Sequence, residues 1–458
     1  MRSAIGSLVL VVSLFATMPA YVRGKNSDGV RRGSDPHPDP RLTPVSAATA
    51  PTELGVKGRG NATPTIAADG VFVAVAWGST KPGGATDVFA AVSRDGGRVF
   101  AAPVRVNSID GDARLNGEQP PRVALVPRAG REPGIVVVWT TKGANGTKLL
   151  QSRSDDGGKS FSAGAVVPGT DAAGNRGWEA IAVEPGGRVD AVWLDHREMA
   201  KDSPMAASHH DHASAGKPDG VAMAQQSKLF FGSLDGTAAP HAVTGGVCYC
   251  CKTALVEGAG GAVYAAWRHV YPGNLRDMAF TMSRDGGRTF APPVRVSEDK
   301  WMIEGCPDDG PSMAVDARKR IHIVWPTLVT EGSAAEPTIA LFYAMSTDGK
   351  SFTVRQRIPT EGLPHHPRLA IGADGVLTVA WDESASGTRR IAIARAGSDE
   401  GGKPRFRREL LTTTGPAIYP VIAVTNDGVV AAWTSGPSTS ASIQVARLVG
   451  ATSSTASK

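Results

Sequence analysis

The sequence has no block of basic residues, no apolar run long enough to span a membrane, no stretch of amphipathic helical period, and only four cysteines in 458 residues. The formal charge of +6 is scattered along the chain. That distribution reads as solvated surface charge and speaks against a nucleic-acid partner. The apolar run at residues 5–18 is too short for a bilayer span. It follows Met1-Arg2 and precedes Pro19-Ala20, the basic, apolar, small-residue order of a secretory signal. No cysteine stands at that boundary, which argues against a lipid-anchored product. Residues 1–24 are therefore expected to be a signal peptide cleaved between Ala20 and Gly24. The product is expected to be secreted or periplasmic, with no transmembrane span after signal removal. The absence of helical patterning leaves a β fold, and 54 glycines with 32 prolines suit one with many tight turns.

The chain retells one unit of about fifty residues, most complete from Cys248 to Asp299. Its clearest mark is a tryptophan ending an apolar run: Trp77, Trp139, Trp193, Trp267, Trp325, Trp381 and Trp433. The runs read FVAVAW, IVVVW, RIHIVW or VLTVAW, and each follows a turn and another apolar run such as PTIAADG or PRLAIGADG. Strand-rich units at this period, with glycine turns, predict an all-β propeller of four-stranded blades. Seven tryptophans predict seven blades; six plus an irregular segment is the alternative. The last repeat supplies only three strands, so a strand near residues 42–46 is expected to close its exposed edge. The domain expectation is a polar, Pro-rich linker at 25–40, one propeller at 41–450 and a disordered tail at 451–458.

A second mark recurs. Ser93-Arg-Asp95-Gly-Gly97-Arg-Val-Phe100, Ser154-Asp-Asp156-Gly-Gly158-Lys-Ser-Phe161 and Ser283-Arg-Asp285-Gly-Gly287-Arg-Thr-Phe290 are good copies, and Ser346-Thr-Asp348-Gly-Lys-Ser-Phe352 is one residue shorter. Worn versions begin at Ser233 and Ser398. This pattern resembles the Asp box of the sialidase-like, or BNR-repeat, propeller superfamily. The resemblance spans most of residues 60 to 450 and implies a structural turn at Asp95, Asp156, Asp285 and Asp348. In such a turn Ser and Asp side chains bond backbone amides, and glycine supplies positive φ.

Strands A to D of each blade alternate direction, so the Asp boxes (C–D turns) and the A–B turns share one face. The B–C and D–A loops ring the channel mouth on the other, and the unusual residues fall there. Cys248, Cys250 and Cys251 lie in the D–A loop entering blade 4, and Cys306 in the loop entering blade 5. Trp301 shares the loop of Cys306, and Trp178, His365-His366 and Tyr419 occupy other D–A loops. Asp195, Arg197, Arg268, His269 and Glu383 come from B–C loops, as does the long segment with Met199, Met205, His209, His210, His212 and Met223.

Four cysteines in two adjacent loops fit two disulfides in an exported chain, a redox-active disulfide, or a thiolate site for a soft ion. The His/Met segment resembles the Met/His-rich tracts of exported copper-handling proteins, which makes copper the preferred metal and zinc the second. The expected ligands are Cys248, Cys250, Cys251 and Cys306, followed by His209, His210, His212, His365 and His366. The family resemblance implies a competing reading, an exo-acting glycoside hydrolase. It would have arginine clamps among Arg122, Arg197, Arg268, Arg276 and Arg368, Tyr419 as nucleophile with Glu383, and Asp195 as acid/base. The Arg-Ile-Pro segment that the family places near the first blade is replaced here by Ala62-Thr63-Pro64-Thr65. A binding propeller without chemistry is the third class. The expected partner is a small molecule, glycan or metal ion at the mouth of a monomer.

Overall fold

A computed structural model describes residues 45–47, 50–201, 220–303, 307–330, 336–385, 387–397, 403–412 and 415–450. The expected signal, the linker and the tail lie outside these residues, as do Cys306, His209, His210, His212 and Ser398.

Strands form seven antiparallel sheets of the expected A-B-C-D order, so the chain is a seven-bladed propeller and the six-blade alternative falls. The innermost strands are Gly60–Asp69, Arg122–Val126, Arg176–Val183, Ala254–Gly258, Ser312–Val315, Leu363–Ile371 and Ala417–Thr425. Each touches the innermost strand of both neighbouring blades, which closes a ring. Blade 7 takes only three strands from the C-terminal repeat, and the chain start completes it. Val45–Ala47 and Thr52–Leu54 both pair with Ser442–Gly450, with Val45 opposite Gly450 and Leu54 opposite Ile443. The expected closing strand exists, shifted a few residues along the chain and split in two.

The seven tryptophans are buried between blades. Trp267 packs with Val192 and Phe231 of blade 3, and Trp325 with Ala254 and Phe280 of blade 4. Five indole N–H groups donate to side chains: Trp77 to Asn61, Trp193 to Asp195, Trp267 to His269, Trp325 to Asp299 and Trp381 to Glu383, at 2.7–3.3 Å. A buried indole needs such an acceptor.

The Asp boxes are turns, as expected. Ser93 Oγ accepts from Gly97 N at 2.9 Å, and Asp95 Oδ1 accepts from Arg98 and Val99 N at 2.9 and 3.0 Å. Asp156, Asp285 and Asp348 repeat the arrangement. The box turns touch the A–B turns through Gly96 N–Val71 O and Gly286 N–Gly261 O, which places both on one face.

Two features shape the opposite face. The B–C insertion of blade 3 carries two short helices, Arg197–Lys201 and Gly220–Gln226. The sequence reading expected none, because segments this short cannot display a helical period. Alanine, methionine and glutamine nevertheless favour the second locally. The innermost strands of blades 1, 3, 6 and 7 each contain a bulge at the mouth. In each bulge a non-glycine residue takes positive φ: Thr63 (55°), Trp178 (55°), His366 (52°) and Tyr419 (56°). Such backbone is costly and persists only when its surroundings impose it.

Candidate functional site: the channel mouth

The loop entering blade 4 turns sharply before Ala254, held by Cys248 N to Arg268 O at 2.9 Å and Thr253 N to Trp178 O at 3.0 Å. The turn stacks three cysteines. Cys248 Sγ lies 3.7 Å from Cys250 Sγ and 3.9 Å from Cys251 Sγ, and one ligand atom from each residue fits within 4.8 Å of the others. No two of the three are bonded to each other. Cys248 and Cys251 are buried free thiols, whereas Cys250 is disulfide-bonded. Ala224 of helix Gly220–Gln226, together with Val270, packs over the cluster.

Arg276 sets the charge here. Its Nη1 donates to Cys248 Sγ at 3.2 Å, and its guanidinium lies over the Tyr249 ring at 5.7 Å. Its Nη2 is buried without a hydrogen-bond partner. The Cys251 thiol, donating to Cys248, and the charges of Arg276 and Arg268 hold Cys248 below the ordinary thiol range despite burial. Burial and its neighbour Cys248 push Cys251 up. One sulfur is thus prepared as a thiolate and the other as its donor.

Beside the thiols lies a buried polar cluster built across the ring. Glu118, from the loop entering blade 2, accepts from Lys252 N and Gly310 N at 2.8 and 3.2 Å, and from Lys252 Nζ at 3.0 Å. One carboxylate therefore ties blade 2 to the loops of blades 4 and 5, with both charges out of solvent. Asp309 accepts from His365 Nδ1 and from His366 N, each at 2.7 Å. Asp382 pairs with His366 Nδ1 at 2.7 Å and accepts Tyr419 N at 3.2 Å. Burial opposes ionisation of Asp309, but the His365 hydrogen bond and the charges around it keep its pKa below normal.

Ligand atoms of Glu118, Asp309 and His366 also come within 4.8 Å of one another, a second arrangement suited to a cation. Lys252 Nζ already supplies a positive charge to Glu118, so an ion there competes with a buried ammonium. The sequence reading missed Glu118, Lys252 and Asp309. A lone Glu in Asn-Gly-Glu-Gln-Pro-Pro carries no local signal, because its partners lie in other blades.

Several sequence expectations need correction. Asp195 is not a free acid/base: Trp193 Nε1, Arg176 Nε and Arg197 bind its carboxylate at 3.2, 3.1 and 2.6 Å. Glu383 accepts from Trp381 and pairs with Arg408, and no contact joins it to Tyr419. These acids lie two residues after a blade tryptophan and serve as indole acceptors. Arg197 is spent on Asp195 and on the Phe230 ring. Arg268 donates to the backbone carbonyls of Asp309, Arg276 and Pro326 and stacks on Trp301 at 4.7 Å, so it is a loop staple. Arg276 belongs to the thiols. Of the five proposed clamps, Arg122 and Arg368 stand on the innermost strands of blades 2 and 6. Burial and the charge of Arg122 weaken the hold of Arg368 on its proton. Arg368 shares a narrow recess with Thr63, His366 and Tyr419. Arg197, Arg268 and Arg276 are thus occupied away from Tyr419.

His269 shows the same structural use of a mouth residue and makes a testable case. Its Nδ1 must be unprotonated to accept the Trp267 indole at 3.3 Å, and burial, helped by Arg295, lowers its pKa to about 4. The unfolded chain protonates near 6.5. Stability from this ring is therefore complete above that pH and lost as the pH falls toward 4. Denaturant unfolding at pH 7 and pH 4.5 should show a drop that is larger in the wild type than in His269→Asn by on the order of 2 kcal/mol. Equal pH slopes in the two proteins would contradict it.

No family model matches the chain, and no curated protein matches it. Among solved structures it is similar to the α-L-arabinofuranosidase Arb93A of Fusarium graminearum, with 11% identity, 88% of this chain and 98% of that chain covered, and a TM-score of 0.48. It is also similar to the NanB sialidase of Streptococcus pneumoniae (11% identity, 87% and 70% covered, TM-score 0.44). The Hadza microbial sialidase Hz136 is a further likeness (13% identity, 79% and 73% covered, TM-score 0.43). None of these likenesses transfers an activity.

Proposed function

We propose that the protein is an exported propeller whose channel face binds one soft metal ion, copper(I) first and zinc second, with Cys248 and Cys251 as ligands. The observation that carries this reading is the 3.9 Å separation of the two free sulfurs. Two thiolates on one tetrahedral zinc, each at about 2.3 Å, stand roughly 3.8 Å apart. Cys250 adds a third thiolate only when its disulfide is reduced. Arg276 offsets part of the negative charge that two thiolates bring into a buried site. Soft sulfur donors favour copper(I) and zinc over hard cations.

Metal analysis of the full-length protein, reduced and loaded with copper(I) or zinc, is the test. About one equivalent is expected, with affinity at least about 100-fold weaker in Cys248→Ser/Cys251→Ser. Equal metal content in wild type and the double variant would overturn the reading.

A second reading rests on a separate observation. Arg122 Nε and Nη2 and Arg368 Nε are buried without hydrogen-bond partners, and Arg368 lies beside Tyr419. An exo-acting glycoside hydrolase would place an anionic sugar there. Release of a chromophore from aryl glycosides, lost in Tyr419→Phe and Arg368→Ala, supports that reading; no release from any aryl sialoside or arabinoside removes it.

A further inference from the structure

We infer that Cys248 and Cys251 are a redox-active dithiol that a hydroperoxide oxidises to an intramolecular disulfide, and that this closure excludes the metal. The first half stands without the metal reading; the exclusion rests on it.

Four observations carry it. The two residues have Cys-x-x-Cys spacing, and both are free while the cysteine between them is disulfide-bonded. Their sulfurs are 3.9 Å apart, within about 2 Å of bonding distance. Arg276 Nη1 donates to Cys248 Sγ at 3.2 Å, which fixes a cationic side chain against that sulfur. Arg276 Nη2, also buried, lies on the Tyr249 side of the same guanidinium and makes no hydrogen bond of normal length, so it can turn to an oxygen arriving beside that sulfur.

Burial selects the oxidant. Cys248 is 0% and Cys251 2% exposed, beneath helix Gly220–Gln226. A protein disulfide cannot reach sulfurs so placed, whereas hydrogen peroxide or a small alkyl hydroperoxide is close to water in size.

The chemistry balances. The Cys248 thiolate attacks the terminal oxygen of ROOH. An S–O bond forms, the O–O bond breaks, and the departing alkoxide takes the proton that the Cys248 thiol gave up. Cys251 then attacks the sulfenic sulfur. The S–S bond forms, the S–O bond breaks, and hydroxide leaves as water with the Cys251 proton. Two electrons pass from the sulfurs to the peroxide, which ends as ROH and water. The resulting disulfide has no thiolate left to bind a metal.

The test treats metal-free, full-length protein, its Cys250 disulfide intact, with one equivalent of hydrogen peroxide, followed by differential alkylation and peptide mapping without reductant. The expected product has lost two thiols and carries a Cys248–Cys251 link. In Cys251→Ser the reaction should stop at a sulfenic acid on Cys248, trapped by a 1,3-dione. Arg276→Met should slow the first step about tenfold or more, with an unchanged far-ultraviolet spectrum as the folding control. A link joining Cys250 to either neighbour overturns the inference. So does thiol loss no faster than in the urea-unfolded chain; neither result touches the metal reading. Zinc-loaded protein should resist closure. If closure occurs equally fast with zinc bound, the exclusion fails while the dithiol stands.

Discussion

Glu118→Ala should destabilise the protein by roughly 3–5 kcal/mol, as removal of one partner of a buried ion pair does. The variant leaves the Lys252 ammonium, 0% exposed in the pair, without its anion, and it strips the acceptor from the amides of Lys252 and Gly310. Lys252→Met tests the other half. If the cost lies in the orphaned charge, Glu118→Ala/Lys252→Met should be markedly more stable than the two single losses combined. Urea midpoints of the four proteins give the answer, and a Glu118→Ala loss under about 1 kcal/mol would show that the pair is already hydrated.

Trp325→Ala should cost about 3–5 kcal/mol, the range for deleting a buried aromatic side chain. The ring is 0% exposed and packs against Phe280, Phe342 and Val296 at the boundary of blades 4 and 5. The indole also donates to Asp299 Oδ2 at 2.7 Å. Trp325→Phe separates the two contributions. It keeps most of the packing and leaves Asp299 paired with Arg355, so about 1–2 kcal/mol is expected. Unfolding followed by calorimetry decides, and equal losses for alanine and phenylalanine would mean that the hydrogen bond, not the packing, dominates.

The repeat was readable because its signals are local. A tryptophan ends each second strand, and Ser-x-Asp-Gly-Gly sits in one turn, so seven tryptophans gave seven blades. The cysteine loop was readable for the same reason, since Cys248, Cys250 and Cys251 are nearly consecutive. What failed was partner assignment. Asp195, His269 and Glu383 looked like free chemistry in mouth loops, yet each stands two residues beyond a tryptophan and serves its indole. The spacing was visible; the meaning came only from strand register, which turns residues i and i+2 to one side. Glu118 was invisible for the opposite reason, with partners 134 and 192 residues away. The left-handed bulges at His366 and Tyr419 were also unreadable. Neither residue type announces positive φ, and the bulge arises where neighbouring blades crowd the ring's centre.

The joint between Thr52–Leu54 and Ser442–Gly450 gives the ring a direction in time. During synthesis the six complete blades emerge first, and the last strand is made hundreds of residues after its partner. Until then blade 7 is missing, and the faces of blades 1 and 6 that it will cover remain wet. Folding must therefore proceed as an open arc that shuts late, with slow, long-range pairing as its final step. An arc of this kind offers bare strand edges to a second arc, so concentration during refolding, more than temperature, should decide between monomeric rings and exchanged strands.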